Sequence, residues 1–138
     1  MRQGFGSIDV ATRGPGLYEI TQKARAFVAA EKIADGLLTC FIRHTSASLL
    51  IQENADPDVQ RDLLDFFAHL ARNGMNYRHT EEGPDDMPSH IRSALTQTSI
   101  GIPLQGGSLA LGTWQGFYLF EHRDAPHRRE VLLHLLGD

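Results

Sequence analysis

The feature that most constrains the fold is a series of short apolar runs with a period of two. Residues 37–44, 100–104 and 130–136 each alternate one residue towards a core with one away from it. This period is typical of strands that bury one face. Residues 105–107, with two glycines, predict a hairpin turn, and strands joined by short turns run antiparallel. We therefore expect about seven strands in a mostly antiparallel sheet.

Helical periodicity predicts about three helices between these strands. The first covers residues 22–34, with Thr21 as a possible cap. The second covers residues 57–72 and follows Asp56, which is a typical N-cap residue before a proline at the first helical position. Residues 89–97 form the third, a short helix after a proline. The fold class is therefore α+β, a sandwich with helices covering one face of the sheet.

Bulk properties limit the functional classes. A length of 138 residues suits one domain, over 1–138. The net charge of -4 argues against a nucleic-acid partner. No apolar run approaches the roughly 18 residues that span a membrane, and residues 1–14 lack the apolar region of a signal peptide. The single Cys40 fits a reducing compartment and a buried, inert thiol. We expect a cytoplasmic protein without a membrane partner.

Three polar clusters, each with imidazole next to carboxylate or hydroxyl groups, interrupt the apolar pattern. They are residues 44–54, 79–90 and 121–129. Imidazole binds zinc and similar metals and transfers protons near neutral pH, whereas arginine fits phosphate or carboxylate. We predict one shared site from His44, His79 and His90, with Arg123 or Arg128 reaching an anion. The spacing matches no local metal motif, so a shared metal remains one of several uses for these histidines.

The candidate residues also have structural interpretations. Ser46 and Ser48 could be nucleophiles, but serine in a turn usually bonds to backbone, and no nucleophile-elbow motif surrounds them. Asp85 and Asp86 equally fit an electrostatic role at a helix N-terminus. Gln115 lies on a mostly apolar strand face, where it either bonds to backbone or faces a substrate cleft.

Three long blocks resemble the YjbQ-like family, whose members are often described as secondary thiamine-phosphate synthase enzymes. The blocks are HTSASLxIQENADPDV at 44–59, HxxEGPDDMPxHI at 79–91 and LxLGTWQGxYLxEHR at 109–123. The resemblance covers about residues 5–138. It implies a single YjbQ-like domain with a layered β/β/α sandwich, assembled as a homotrimer.

The resemblance also implies a site of clustered histidines and acids, in some members with a bound metal. The implied catalytic residues are His44, His79, Asp86 and His90, of which the three histidines are also the implied metal ligands. The implied substrate- or phosphate-binding residues are Thr45, Ser46, Gln115, His122 and Arg123. Glu53 also matches the family pattern. Thr80 departs from it, because an acidic residue is expected there.

The implied activity is that of a transferase of thiamine biosynthesis. It joins hydroxymethylpyrimidine diphosphate to a thiazole phosphate and releases diphosphate, as a weak or side activity, so the partner is a small phosphorylated metabolite. A cation would neutralise the leaving diphosphate, and the cofactor is zinc or magnesium. Imidazoles favour zinc, whereas carboxylates favour magnesium. The alternative is a non-catalytic trimeric protein that binds a phosphorylated or anionic metabolite.

Overall fold

The computed structural model describes residues 1–138 and contains eight strands and three helices. In chain order they are β1 (Arg2–Ala11), β2 (Gly16–Glu19), α1 (Thr21–Glu31), β3 (Gly36–Ile42), β4 (Ala47–Glu53), α2 (Pro57–Leu70), α3 (Asp86–Leu95), β5 (Ser99–Gln105), β6 (Ser108–Leu109), β7 (Gln115–Glu121) and β8 (Arg128–Gly137). One sheet has five strands in the order β1-β8-β3-β5-β6, and the other has three in the order β2-β7-β4. Every pairing is antiparallel, so the predicted α+β sandwich is confirmed.

The hydrophobic core lies between the two sheets. Alternate residues of β3 and β8 are fully buried there: Leu38, Cys40 and Ile42 of β3, and Val131, Leu133 and Leu135 of β8. From the other sheet, Phe117 and Leu119 of β7 face them. This is the period-two pattern of the sequence, with one face of each strand in the core. Burial raises the pKa of the Cys40 thiol to about 12, so this cysteine is inert, as predicted.

Helices α2 and α3 cover the other face of the three-stranded sheet. Phe67 of α2 meets Phe120 of β7 edge to face, with ring centroids 5.3 Å apart. In α3, the hydroxyl of Ser93 donates to the carbonyl of Ala47 at 3.2 Å. The layers are therefore the five-stranded sheet, the three-stranded sheet and the pair of helices α2 and α3, whereas α1 packs against the core with Ala24 and Val28. None of the three helices has the length and apolar character needed to cross a membrane.

Three connections pass from one sheet to the other at the same end of the sandwich. They join β1 to β2, β3 to β4 and β7 to β8, and consist of residues 12–15, 43–46 and 122–127. All three lie at the end of the five-stranded sheet where Ile42 pairs with Val131. The connections at 12–15 and 122–127 are therefore crossovers and not hairpin turns, because the strands that flank each of them belong to different sheets. The crossovers bring two of the three polar clusters to one corner.

Local differences from the predicted elements have physical causes. Helix α1 begins without a side-chain cap, because the hydroxyl of Thr21 donates to Glu19 and accepts from the backbone of Phe117. It ends at Glu31, where Lys32 takes a left-handed conformation with φ of 55°. For α2, the capping prediction is confirmed, since the Asp56 carboxylate accepts from the backbone N–H of residue 58.

Candidate metal centre

Two histidines and one aspartate converge beside the N-terminal turn of α3. Asp86 and His90 lie one helical turn apart on the same face, and His79 reaches them from the preceding loop. Oδ2 of Asp86 is 2.7 Å from Nε2 of His79 and 3.0 Å from Nε2 of His90. The three potential ligand atoms all lie within 4.8 Å of one another. Asp86 is buried, whereas both imidazoles are partly exposed, so the cluster opens towards solvent.

Arg123 holds the carboxylate of Asp86 in place. Its Nη1 donates to Oδ1 of Asp86 at 2.8 Å, its Nε donates to Asp85 at 2.9 Å, and its Nη2 donates to the carbonyl of Glu82 at 3.1 Å. Burial alone would raise the pKa of Asp86, but the hydrogen bond from His79 and the charges of His90 and Arg123 lower it, so it stays ionised. Most donors of the predicted phosphate-binding Arg123 therefore already have partners within the chain.

The hydrogen bonds of His90 define its tautomer. Its Nδ1 donates to the carbonyl of Thr45 at 2.9 Å, and a carbonyl can only accept. In the neutral ring, Nε2 then carries a lone pair that faces the carboxylate of Asp86. Two acceptors at this distance need a cation between them, either a proton or a metal. Histidines that bind metal commonly donate their other N–H to a carbonyl in this way.

His44 does not join this cluster. Its Nε2 accepts the backbone N–H of Glu130 at 2.9 Å, so the lone pair of a potential ligand is already used. Burial and the charge of Arg129 lower the pKa of His44, which favours the neutral ring. His44 still lies nearby, because it lines a cavity of about 250 Å³ together with Thr45 and His90. The third position that the sequence prediction gave to His44 is occupied by Asp86.

A buried ion pair stands at the corner where the chain changes sheets. Arg129 donates from Nε to Glu121 at 2.7 Å and from Nη2 to the hydroxyl of Ser46 at 3.0 Å. Thr12 donates to the same carboxylate at 2.7 Å. Burial alone would raise the pKa of Glu121, but the hydrogen bonds from Arg129 and Thr12 lower it. Ser46 is thus a partner of the ion pair, a role that sequence reasoning missed because Glu121 and Arg129 give no local signal of pairing.

His122 lies on the opposite face of β7 from Glu121, under α2. Its Nε2 is 2.9 Å from the hydroxyl of Ser48, and its ring packs on Phe120 with centroids 4.3 Å apart. Burial lowers the pKa of His122 to about 3, so the imidazole is neutral. Its Nδ1 is buried and has no hydrogen-bond partner.

Gln115 and Glu53 lie away from these groups. They pair with each other at the far end of the three-stranded sheet. The side-chain oxygen of Gln115 accepts the backbone N–H of Gly112 at 2.8 Å, which is the backbone-bonding alternative of the sequence analysis. Glu53 accepts the backbone N–H groups of residues 55 and 56, just before α2. Thr80 lines an exposed cavity of about 250 Å³ beside His79.

Fold and site together define a layered β/β/α protein with a two-histidine, one-carboxylate cluster beside its sheet crossovers. The family model described as UPF0047 protein YjbQ-like matches residues 6–138, so the chain belongs to this family. It is 56% identical over 138 residues to UPF0047 protein sll1880 of Synechocystis, covering 99% of this chain and 94% of that protein. It is 45% identical to UPF0047 protein YjbQ of Escherichia coli O157:H7, with 75% of each chain covered.

Solved structures share the fold. A YjbQ/UPF0047 family protein from Clostridium acetobutylicum has a TM-score of 0.89 at 32% identity, with 95% of this chain and 99% of that chain covered. A YbjQ-like protein of unknown function from Sulfolobus solfataricus has a TM-score of 0.92 at 22% identity, with 99% of each chain covered, and this likeness concerns the fold alone.

These comparisons contradict the predicted thiamine-phosphate synthase activity. The family and relatives are described only as UPF0047 or YjbQ-like, and none of these descriptions names thiamine synthesis or a transferase. The site agrees with the correction, because Arg123, the expected phosphate clamp, is bound to Asp85 and Asp86. The resemblance identified the family correctly, and the activity attached to it was wrong.

Proposed function

We propose that this chain is a zinc-binding protein whose metal centre takes a small anionic ligand, such as a phosphorylated metabolite, in an open coordination position. The observation that carries the proposal is the convergence of His79, Asp86 and His90 within 4.8 Å. With Nδ1 donating to the carbonyl of Thr45, the neutral ring of His90 presents the lone pair of Nε2 to the cluster.

The donor set fits zinc better than magnesium. Magnesium prefers an octahedral set of oxygens, whereas two imidazoles and one carboxylate are a common zinc set. Ligand atoms bound to zinc at about 2.1 Å in a tetrahedral arrangement lie about 3.4 Å apart. The present separations from Asp86 to His79 and His90 are 2.7 and 3.0 Å, so each of the two partly exposed imidazoles would have to move away from Asp86 by less than 1 Å.

The surrounding residues have defined roles around such a centre. Arg123 binds Oδ1 of Asp86 and leaves Oδ2 for the cluster, and Thr45 orients His90. Cavities of about 250 Å³ on either side, one lined by His44 and the other by Thr80, leave room for a small ligand. A zinc ion with three protein ligands supplies a Lewis acid and lowers the pKa of bound water to about 7.

Titration of metal-free protein with zinc and magnesium tests the metal. By calorimetry we expect one zinc site per chain and much weaker magnesium binding. His90→Ala and Asp86→Asn should each lower zinc affinity more than about 100-fold, because each removes a direct ligand, whereas loss of an outer contact costs about 10–100-fold. His69→Ala is the matched control, because His69 is exposed on α2 and bonds only to the backbone of Asp65. Wild-type binding no tighter than that of His90→Ala would refute the proposal.

Cobalt substitution tests the open position. Four- and five-coordinate cobalt absorbs more strongly than six-coordinate cobalt, and a ligand that enters the coordination sphere changes the spectrum. We expect added phosphate to change the spectrum of the cobalt protein and to leave the spectrum of Asp86→Asn protein with cobalt unchanged. An intense cobalt spectrum that no anion changes would indicate a closed structural site. That result would refute the proposed binding of an anionic ligand and would leave the proposed zinc binding in place.

A further inference from the structure

The largest cavity of the structure lies at the end of β3, beside the corner where the chain changes sheets. Its volume is about 570 Å³, which is typical of small-molecule sites. Most of its lining residues carry hydrogen-bond donors: Arg43, His44, Thr45, Ser46, Thr98 and Arg129. The remaining lining residues are apolar, so no carboxylate lines this cavity, although the chain has a net charge of -4. A wall of donors with two guanidinium groups favours an anionic ligand.

The guanidinium of Arg129 is held in place by the buried ion pair and keeps one nitrogen free. Its Nε and Nη2 donate to Glu121, and Nη2 also donates to the hydroxyl of Ser46. Its Nη1 makes no hydrogen bond, and the one buried side-chain atom without a partner belongs to His122, so Nη1 reaches accessible surface. Because Ser46 lines the cavity, the guanidinium lies at the cavity wall.

His44 provides a second donor whose proton position is fixed. Its Nε2 accepts the backbone N–H of Glu130 at 2.9 Å, and a backbone nitrogen can only donate, so the ring proton is on Nδ1. Burial and the charge of Arg129 lower the pKa of His44, so the imidazole and the guanidinium are close to each other. Two donors that are already held in place can bind an oxyanion with little loss of conformational entropy.

The carboxylates that pair with the two arginines lie outside the cavity. Glu121 is fully buried beside Arg129, and Glu130 meets Arg43 at 3.3 Å without lining the cavity. Arg43 contributes only Nη1 to that contact, so its other nitrogens remain available. An incoming anion would therefore meet guanidinium and hydroxyl groups rather than a carboxylate.

The cavity adjoins the metal centre. His44, Thr45 and Thr98 line both this cavity and the cavity of about 250 Å³ that His90 lines. A ligand that binds zinc through one end can therefore extend along these shared residues towards Arg129.

We propose that the cavity beside Arg129 binds an oxyanion group, a phosphate or a carboxylate, and that it holds the second anionic group of a linear ligand whose first group binds zinc. The zinc end of this ligand rests on the proposed function, whereas the oxyanion site stands on its own residues.

Nuclear magnetic resonance of metal-free protein tests the oxyanion site without zinc. Inorganic phosphate is the probe, and the backbone amide resonances of residues 43–46 report its binding. We expect phosphate to shift these resonances to saturation in the wild-type protein. Thr98→Glu adds a carboxylate at an exposed lining residue and should weaken phosphate binding at least about 10-fold, because like charges repel. Thr113→Glu, the same exchange at an exposed threonine that does not line the cavity, should bind phosphate as the wild type does.

Arg43→Met and Arg61→Met form a second matched pair, because both arginines are exposed and each meets one carboxylate. Only Arg43→Met should weaken phosphate binding, by about 10-fold or more, since it removes a charged donor. Exchanging Glu121 and Arg129 together for methionine removes the guanidinium at constant net charge and should abolish phosphate binding. Thr98 and Arg43 are surface positions, so their variants decide the question even if the buried pair cannot be exchanged without unfolding.

The link to the metal is tested with zinc-loaded protein and linear dicarboxylates from succinate to suberate. Two linked groups that reach both sites bind more tightly than either group alone, and only a chain of suitable length reaches both. By calorimetry we expect one length to bind at least about 10-fold more tightly than the monocarboxylate of equal length. This advantage should vanish in metal-free protein.

The outcomes separate this inference from the proposed function. Absence of zinc binding would refute the proposed function, and the phosphate titration would still decide the oxyanion site. Wild-type resonances that do not respond to phosphate, as expected if Nη1 of Arg129 binds only water, would overturn the oxyanion site. Equal phosphate affinity in Thr98→Glu and Thr113→Glu would overturn it as well. Equal affinity for all dicarboxylates in the zinc-loaded protein would refute the linear ligand.

Discussion

Replacing Arg129 by methionine should strongly destabilise the fold, because it leaves a buried charge without a partner. Glu121 is 0% exposed and the Arg129 side chain is 5% exposed, so neither charge is hydrated in the native state. Arg129 donates to both carboxylate oxygens, and Thr12 is the remaining side-chain donor. Breaking a buried ion pair from one side typically costs about 3–5 kcal/mol, and we expect Arg129→Met to lose an amount in this range at pH 7.

The pH dependence separates a lost charge from lost packing. In the wild-type protein the pKa of Glu121 is lowered, so the stabilisation is present above its ordinary pKa of 4.5 and is lost as the pH falls. In Arg129→Met the same carboxylate is buried without its cation, so its pKa should lie above the ordinary value. Acid then protonates and stabilises it. The difference between wild type and variant should therefore shrink as the pH is lowered from 7 towards 4.

Urea unfolding at several pH values measures this difference. The double variant Glu121→Met with Arg129→Met is the comparison, because exchanging a whole buried pair for apolar side chains is often close to neutral. The released hydroxyl of Thr12 can still donate to the carbonyl of His127, 3.2 Å away. We expect the double variant to be more stable than Arg129→Met. A single variant that loses less than about 1 kcal/mol, or a loss independent of pH, would refute the reasoning.

Two further predictions concern the helix cap and the assembly. Asp56→Ala should lower the free energy of unfolding by about 1 kcal/mol, measured by urea titration, because the N-cap bond at 2.9 Å is lost; an unchanged midpoint would contradict this. We also propose the homotrimer implied by the family resemblance, supported by the exposed apolar side chains of Phe5, Phe41 and Leu132 on the outer face of the five-stranded sheet. Light scattering should give three times 15.3 kDa, Phe41→Glu should weaken the assembly, and a wild-type monomer would refute the trimer.

The strands could be predicted from the sequence, whereas their distribution between two sheets could not. Period two marks a strand with one buried face, and it identified β3, β5 and β8 directly. The same pattern contains no information about which strands become neighbours. The short connection at residues 122–127 resembles a hairpin in sequence, yet it joins strands of different sheets, and Glu121 meets Arg129 across this corner through their side chains.

For the candidate site too, local sequence could predict some residues but not the contacts between distant parts of the chain. The residue types alone predicted His79 and His90 as site residues. Their side chains meet through local structure, because His79 lies in the loop before α3 and His90 lies on α3. Asp86 and His90 are four residues apart, but the predicted helix at 89–97 began too late to place them on one helical face, as α3 does from Asp86 onwards. Nothing local could show that His44 accepts a backbone N–H from Glu130, 86 residues away in sequence. That hydrogen bond exists only once β3 and β8 are in register.

The end of β7 links three different environments through consecutive residues. Glu121 points between the sheets to Arg129, His122 points to the helical layer, and Arg123 reaches the carboxylate of Asp86. Successive side chains of a strand point to opposite faces, and the crossover then redirects the third. The polar sequence after this apolar strand is therefore explained by three separate partners, and each can be removed without removing the others.

Arg123→Met should therefore weaken zinc binding while leaving the contact between His122 and Ser48 intact. The variant removes the 2.8 Å hydrogen bond to Oδ1 of Asp86, an outer contact of the kind whose loss costs about 10–100-fold in metal affinity. Calorimetry measures the zinc affinity. Arg128→Met, at an exposed arginine five residues further along, is the control. An unchanged zinc affinity in folded Arg123→Met would show that Asp86 is held by its helix and its histidines alone.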